Sequence, residues 1–222
     1  MGKWTGKIER PLRVWQKPRL TDDIYLHFSE LLQGVKTYAS RIRGTVLDVG
    51  AGKMPYKHLF QYTRYIALEN HAYPHVDIVA DVTKGIPLKK RSVDSVVCFQ
   101  VLEHINEPGK AIDAIYAVLK KGGVCLLTTH LAAPLHGLPH DYYRFTPFAF
   151  KHLFRKFSKL EIRPQGGAAL SIMQLLVWGV SEKLPRFLAL PCIVIMNILG
   201  KVLDRLFYTS VFTLNYTVFA TK

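Results

Sequence analysis

The stretch that decides the fold is Val46-Leu47-Asp48-Val49-Gly50-Ala51-Gly52. It is a short β-rich run ending in G-x-G, so the backbone turns sharply and can approach a ligand with no Cβ in the way. In a doubly wound sheet such a loop lies at the carboxyl end of a strand, where ligands bind. A dinucleotide fingerprint needs a third glycine, and the corresponding position is Pro55, which argues against a nicotinamide cofactor. Two acids follow at matching places. Glu69 ends the next strand-like run, nineteen residues beyond Gly50, where a carboxylate can accept from both hydroxyls of a ribose. Asp81 ends the third run and can receive an adenine amino group.

Outward from this loop the pattern continues. Arg64–Glu69, Asp77–Asp81, Val93–Gln100 and Gly123–His130 are near-continuous apolar runs, as expected of strands covered on both faces. A helix is predicted before the loop, capped by Thr21, with Ile24, Phe28, Leu31, Leu32 and Val35 on one face. Another is predicted over Glu107 to Lys120, with a stripe of Ala111, Ile112, Ile115 and Leu119 and a C-terminal cap at Gly122. Thr146-Pro147 opens a further helix through Phe157. Leu160–Arg163 and Leu214–Thr221 read as two more strands, paired as a hairpin at one edge. The expectation is an α/β fold with a doubly wound, mostly parallel sheet and right-handed crossovers.

Two regions stand apart. Residues 1–20 form a basic N-terminal segment containing Lys3, Lys7, Arg10, Arg13, Lys17 and Arg19, interleaved with Trp4 and Trp15. It reads either as a basic tail or as a contact for a membrane surface or nucleic acid. Residues 168–208, within the domain of 21–222, form an apolar helical insertion before the last strand. Its two stretches, Ala168–Val180 and Phe187–Leu199, each fall short of the ~18 residues a bilayer span needs, and Pro191 interrupts the second. A lid, a homodimer face or peripheral membrane contact are the readings, in that order. The formal net charge of +14 favours acidic partners. Cys98, Cys125 and Cys192 sit in apolar runs as small buried hydrophobes, and the basic N-terminus lacks an apolar signal region. The expected location is cytoplasmic, including peripheral attachment to the inner membrane face.

VLDVGAG, YIALE, DIVADVTKGIPLKKRSVDSVVCFQVLEHI and AVLKKGGVCLLTTH, taken in order, resemble the successive motifs of class I S-adenosylmethionine-dependent methyltransferases, and most closely the group called methyltransferase type 11. The resemblance runs from about Thr45 to His130. It implies a Rossmann-like, seven-stranded sheet with the last strand antiparallel, and S-adenosyl-L-methionine as cofactor. It also implies cofactor contacts at Asp48 (near the methionine portion), Gly50, Ala51, Gly52, Glu69 (ribose), Asp81 with Val82 (adenine), and Gln100, Val101 and Leu102. Some quinone-pathway members of the family hold a divalent metal with E-x-x-E-H. Here Gln100 stands in the first position of that pattern, and no metal is expected.

The acceptor half of the site is expected after the fourth and fifth strands. Glu103-His104 follows the fourth. The loop from His130 through His136, His140, Asp141, Tyr142, Tyr143 and Arg144 carries imidazoles, a carboxylate, phenols and a guanidinium at one strand end. His140, His104 and His130 are the candidate catalytic bases, with His140 set beside Asp141. His136, Asp141, Tyr142, Tyr143 and Arg144 are the candidate acceptor contacts, Arg144 offering a planar fork to a carboxylate or phosphate. The alternative for Tyr142, Tyr143 and Arg144 is that they lock the loop onto the following helix. The function expected is methyl transfer to a small or lipid-linked, anionic acceptor. A nucleic-acid methyltransferase is disfavoured, because the Asn/Asp-Pro-Pro-aromatic stretch of base-modifying enzymes is replaced by Gln100-Val101-Leu102-Glu103. A non-catalytic, membrane-associated protein retaining the fold is the third reading.

Overall fold

The computed structural model describes residues 10–222. Lys3, Trp4 and Lys7 of the basic segment lie outside the described residues. Seven strands form one sheet: β1 (Arg43–Val49), β2 (Gln61–Glu69), β3 (Ile78–Val79), β4 (Val93–Phe99), β5 (Leu119–His130), β6 (Lys159–Gln165) and β7 (Asn215–Thr221). Their order is β3-β2-β1-β4-β5-β7-β6. The first five pair in parallel, and β7 runs antiparallel between β5 and β6. The hairpin expected at one edge is therefore present, with β6 as the outer strand.

Strand alternation divides the core. Leu47, Val49, Val96 and Cys98 face one layer, which α3 (Pro108–Val118) and α4 (Pro147–Leu153) cover with Ile112, Ile115 and Phe150. Val46, Val97 and Leu126 face the other, against Phe28, Leu31, Val35 and Tyr38 of α2 (Tyr25–Tyr38). Cys98 and Cys125 are buried and Cys192 is only partly so.

Several boundaries correct the sequence reading. α2 starts at Tyr25, so Thr21 is not its cap. Instead the Gln174 side chain, from the insertion, accepts from the His27 N–H at 3.0 Å and satisfies one of the helix's orphan donors. α3 ends at Val118 and β5 begins at once. Gly122 therefore lies inside β5, with φ +75° at a register shift opposite Val93/Ser95, and caps no helix. β3 keeps only two residues of the run predicted over Asp77–Asp81. Thr146 does cap α4, accepting from the Ala149 N–H.

The basic segment is docked from Arg10 onward. Arg10 binds Asp23 through both guanidinium nitrogens and Arg13 does the same with Asp22. Trp15 of α1 (Leu12–Gln16) packs on Phe28 with ring centroids 4.4 Å apart, and Gln16 donates to the Pro55 carbonyl. This part of the segment thus braces the loop that follows β1.

The insertion is a helical hairpin, α5 (Ala168–Lys183) and α6 (Arg186–Leu206). α6 runs unbroken through Pro191, and its 21 residues make it, among the described helices, the one long and apolar enough to cross a membrane by length and composition. The shorter, interrupted stretch expected there is corrected. Pro191 lies near the helix start, where its missing N–H removes a single intrahelical bond. The hairpin's buried amides point inward: Gln174 also donates to Asp23 O, and Asn197 donates to Leu20 O and Asp22 O. Its outer face is apolar.

Candidate functional site

All the predicted cofactor residues lie at the carboxyl ends of β1 to β4. Gly50 adopts φ +69°, and a Cβ there would lie 2.3 Å from Val101 Cγ2 at the end of β4. Only glycine fits both the conformation and the space. The Gly50 and Ala51 N–H groups donate to the Leu68 carbonyl of β2. Glu69 Oε1 accepts from the Gly52 N–H at 2.7 Å, so the second acid reaches across to the glycine loop itself. Asp81 caps the short turn Val82–Lys84, accepting from the Thr83 N–H and hydroxyl, and those bonds hold its carboxyl below the usual range. Gln100 takes φ +56°, a conformation rare outside glycine, and its buried Oε1 has no hydrogen-bond partner among the described residues. An orphaned acceptor beside a glycine loop fits a ligand that brings its own donors.

Sequence reasoning missed the partner of Asp48. This buried side chain accepts from the Tyr65 hydroxyl at 2.5 Å. Burial pushes its carboxyl up to about 7; the Tyr65 bond opposes the rise and Glu69 adds to it. A raised folded-state pKa means that ionising Asp48 costs stability, a cost absent below about pH 4 and complete above about pH 7. Asp48→Asn removes the dependence. Its melting temperature relative to the parent should rise between pH 5 and pH 8, by the equivalent of about 2.6 kcal/mol. A difference that stays flat with pH would refute the assignment.

The residues expected on the acceptor side assemble around Glu103, just past β4. Phe99 pairs with Thr128 across the sheet, which carries Glu103 to the end of β5. Glu103 is fully buried; Oε2 accepts from Thr129 Oγ1 at 2.7 Å, and Oε1 lies 3.2 Å from His130 Nε2. Burial raises the Glu103 carboxyl and pushes His130 well below its ordinary value, with the neighbouring rings of His27 and His136 reinforcing the second effect. His130 is therefore a neutral imidazole. The loop folds back as the Tyr142 and Tyr143 N–H groups donate to the Glu103 carbonyl. It sets the His136 ring 4.8 Å from that of His104 and 4.9 Å from that of His130.

His140 does not pair with Asp141. Asp141 accepts both guanidinium nitrogens of Arg144, at 2.6 and 2.9 Å, and the His136 N–H at 3.1 Å. Burial works against its ionisation, but these bonds hold the carboxyl below the usual range. The Arg144 fork also reaches the Ala133 and Pro134 carbonyls, so it clasps the loop, and Tyr143 fastens it to the Asn106 carbonyl. Within this structure these residues fill the loop-locking role. His140 lies outside the cluster, against the Tyr142 hydroxyl. His104 Nδ1 faces the His140 carbonyl and His136 Nδ1 the Pro134 carbonyl. A carbonyl can only accept, so each ring carries a proton on Nδ1 and donates it there.

Residues 47–127 match a family model described as a methyltransferase domain. A probable S-adenosylmethionine-dependent methyltransferase from Mycolicibacterium smegmatis is 42% identical over 57 residues, covering 26% of this chain and 22% of that protein. A ubiquinone biosynthesis O-methyltransferase from Psychrobacter cryohalolentis is 44% identical over 36 residues, 16% of this chain and 14% of that one. The chain thus matches less than a quarter of the length of these curated relatives. The fold is shared more widely: a SAM-dependent methyltransferase from Archaeoglobus fulgidus superposes with a TM-score of 0.54 at 16% identity, over 89% of this chain and 94% of that one.

Proposed function

We propose that this chain is a class I S-adenosylmethionine-dependent methyltransferase, supported by its methyltransferase-domain match, and that it methylates a small or lipid-linked, anionic acceptor while resting on the cytoplasmic face of a membrane. S-adenosylmethionine supplies a methyl group already activated on a sulfonium centre, so the protein has mainly to align the partners and exclude water. Glu69 accepts from the ribose hydroxyls, Asp81 and Val82 meet the adenine, and Gly50, Ala51 and Gly52 allow close approach. Asp48, Gln100 and Val101 border the methionine end. On the acceptor side, His104, anchored through Nδ1 to the His140 carbonyl, is the base we assign to the proton an acceptor hydroxyl or amine releases.

The observation that carries the lipid part of the reading is the outer face of the hairpin. Ile172 and Leu176 on α5, and Phe187, Ile195, Ile198, Val202 and Leu206 on α6, are exposed; Phe187 is 76% and Leu206 66% accessible. The charges within α6 do not interrupt this stripe: Lys201 pairs with Glu30, Asp204 accepts from the Gly167 N–H, and Arg186 and Arg205 flank it at either end. A contiguous apolar stripe with basic ends, on a chain of net charge +14, suits an anionic lipid surface. The same face would serve a homodimer, which is the other outcome of its test.

Incubation with methyl-labelled cofactor and separate pools of lipid extract, water-soluble metabolites and RNA tests the acceptor class. Label is expected in the lipid pool or in anionic small molecules. Label confined to RNA would replace this reading with the nucleic-acid one.

A further inference from the structure

The cluster of Glu103, His130 and His136 is not explained by methyl transfer to the acceptor alone. One potential ligand atom from each lies within 4.8 Å of the others. Glu103 Oε1 and His130 Nε2 are 3.2 Å apart, yet Oε1 makes no hydrogen bond, and both side chains are more than nine-tenths buried. Native interiors seldom leave a buried carboxylate oxygen without a partner. The nearby guanidinium, Arg144, is spent on Asp141.

We propose that Glu103, His130 and His136 bind a first-row divalent cation of the zinc type, as one carboxylate and two neutral imidazoles. Ligand atoms around a tetrahedral ion with bonds of ~2.1 Å stand about 3.4 Å apart. The Glu103–His130 separation already meets that, and His136, carried on a partly exposed loop, closes the remainder. The supporting contacts are of the kind metal ligands use. Thr129 holds the second oxygen of Glu103, and the Pro134 carbonyl accepts from His136 Nδ1, which leaves Nε2 of that ring as its ligand atom. The cation supplies the positive charge that a buried Glu103 carboxylate otherwise lacks. Three protein ligands leave a coordination position open beside His104, on the side where the acceptor is expected. The Gln100 that breaks the family's metal pattern is not needed, because the imidazoles come from the end of β5 and the loop beyond it.

Untagged full-length protein, titrated with Co2+ near neutral pH without cofactor, reports the site through its visible ligand-field absorption. A single saturable band is expected, displaced by Zn2+. His136→Ala, at a partly exposed position, should weaken binding by at least about tenfold, and Glu103→Gln by a similar factor. His152→Ala, on exposed α4, should leave it unchanged. Absence of a band overturns the proposal, and so does a band that persists equally in His136→Ala, since the ion would then sit elsewhere. If Glu103→Gln fails to melt cooperatively, the His136→Ala result decides.

Discussion

Gly50→Ala is expected to weaken S-adenosylmethionine binding by about 100-fold while the protein still folds. Two costs combine. A residue with a Cβ at φ +69° is strained by roughly 1–2 kcal/mol. The new methyl would also meet Val101 Cγ2 at 2.3 Å, so either the loop or Val101 must move out of the position that lets a ligand approach. Together these amount to about 2.7 kcal/mol, two powers of ten in affinity. Val101→Ala separates them. The Gly50→Ala/Val101→Ala protein regains the space but not the conformation, and should recover about tenfold. Calorimetric affinities for the three variants, with melting curves as the control, check this. Unchanged affinity in Gly50→Ala would remove the loop from the cofactor site, and complete recovery in the double variant would reduce the effect to crowding alone.

Charges placed on the outer stripe of α6 should release the protein from vesicles. Ile195 and Val202 are about half exposed and make no part of the buried core, so Ile195→Glu/Val202→Glu is expected to fold and melt as the parent does. Burying a large aliphatic side chain in an apolar phase contributes ~1.5–3 kcal/mol. Removing two, and adding anionic groups opposite an anionic surface, should lower the vesicle-bound fraction at least about tenfold. The measurement is flotation with vesicles containing phosphatidylglycerol, compared with neutral phosphatidylcholine. Parent protein that stays in the bottom fraction with both would end the membrane reading. Sedimentation showing a dimer that the double variant dissociates would make the stripe a subunit interface instead.

The gathering of the expected cofactor residues at strand ends was legible in the sequence because it follows the chain locally. Each strand is a near-continuous apolar run, and Gly50, Glu69 and Asp81 each lie just past or at the end of one. The acceptor half was not, because it depends on register. Glu103 and His130 are far apart in sequence and meet only once Phe99 pairs with Thr128. His140 and Asp141 are adjacent in sequence and yet point to different partners, Tyr142 and Arg144. Tyr65 became the partner of Asp48 through the pairing of β1 with β2, which no local pattern reports. The insertion misled for another reason. Proline reads as a helix breaker, but Pro191 sits near the start of α6 and the remaining apolar residues carry the helix on. Thr21 and Gly122 had the chemistry of caps without the position: Gln174 does the work at α2, and Gly122 serves a bend inside β5.

On the proposed reading, the loop after β1 and Glu69 together hold S-adenosylmethionine. Titration calorimetry of the parent and of Glu69→Ala with this cofactor tests it most directly. Two charge-assisted hydrogen bonds to the ribose, at about 1.5–3 kcal/mol each, predict saturable one-to-one binding in the parent and at least about 100-fold weaker binding in Glu69→Ala. No binding by the folded parent, or equal affinity in the two proteins, would contradict it.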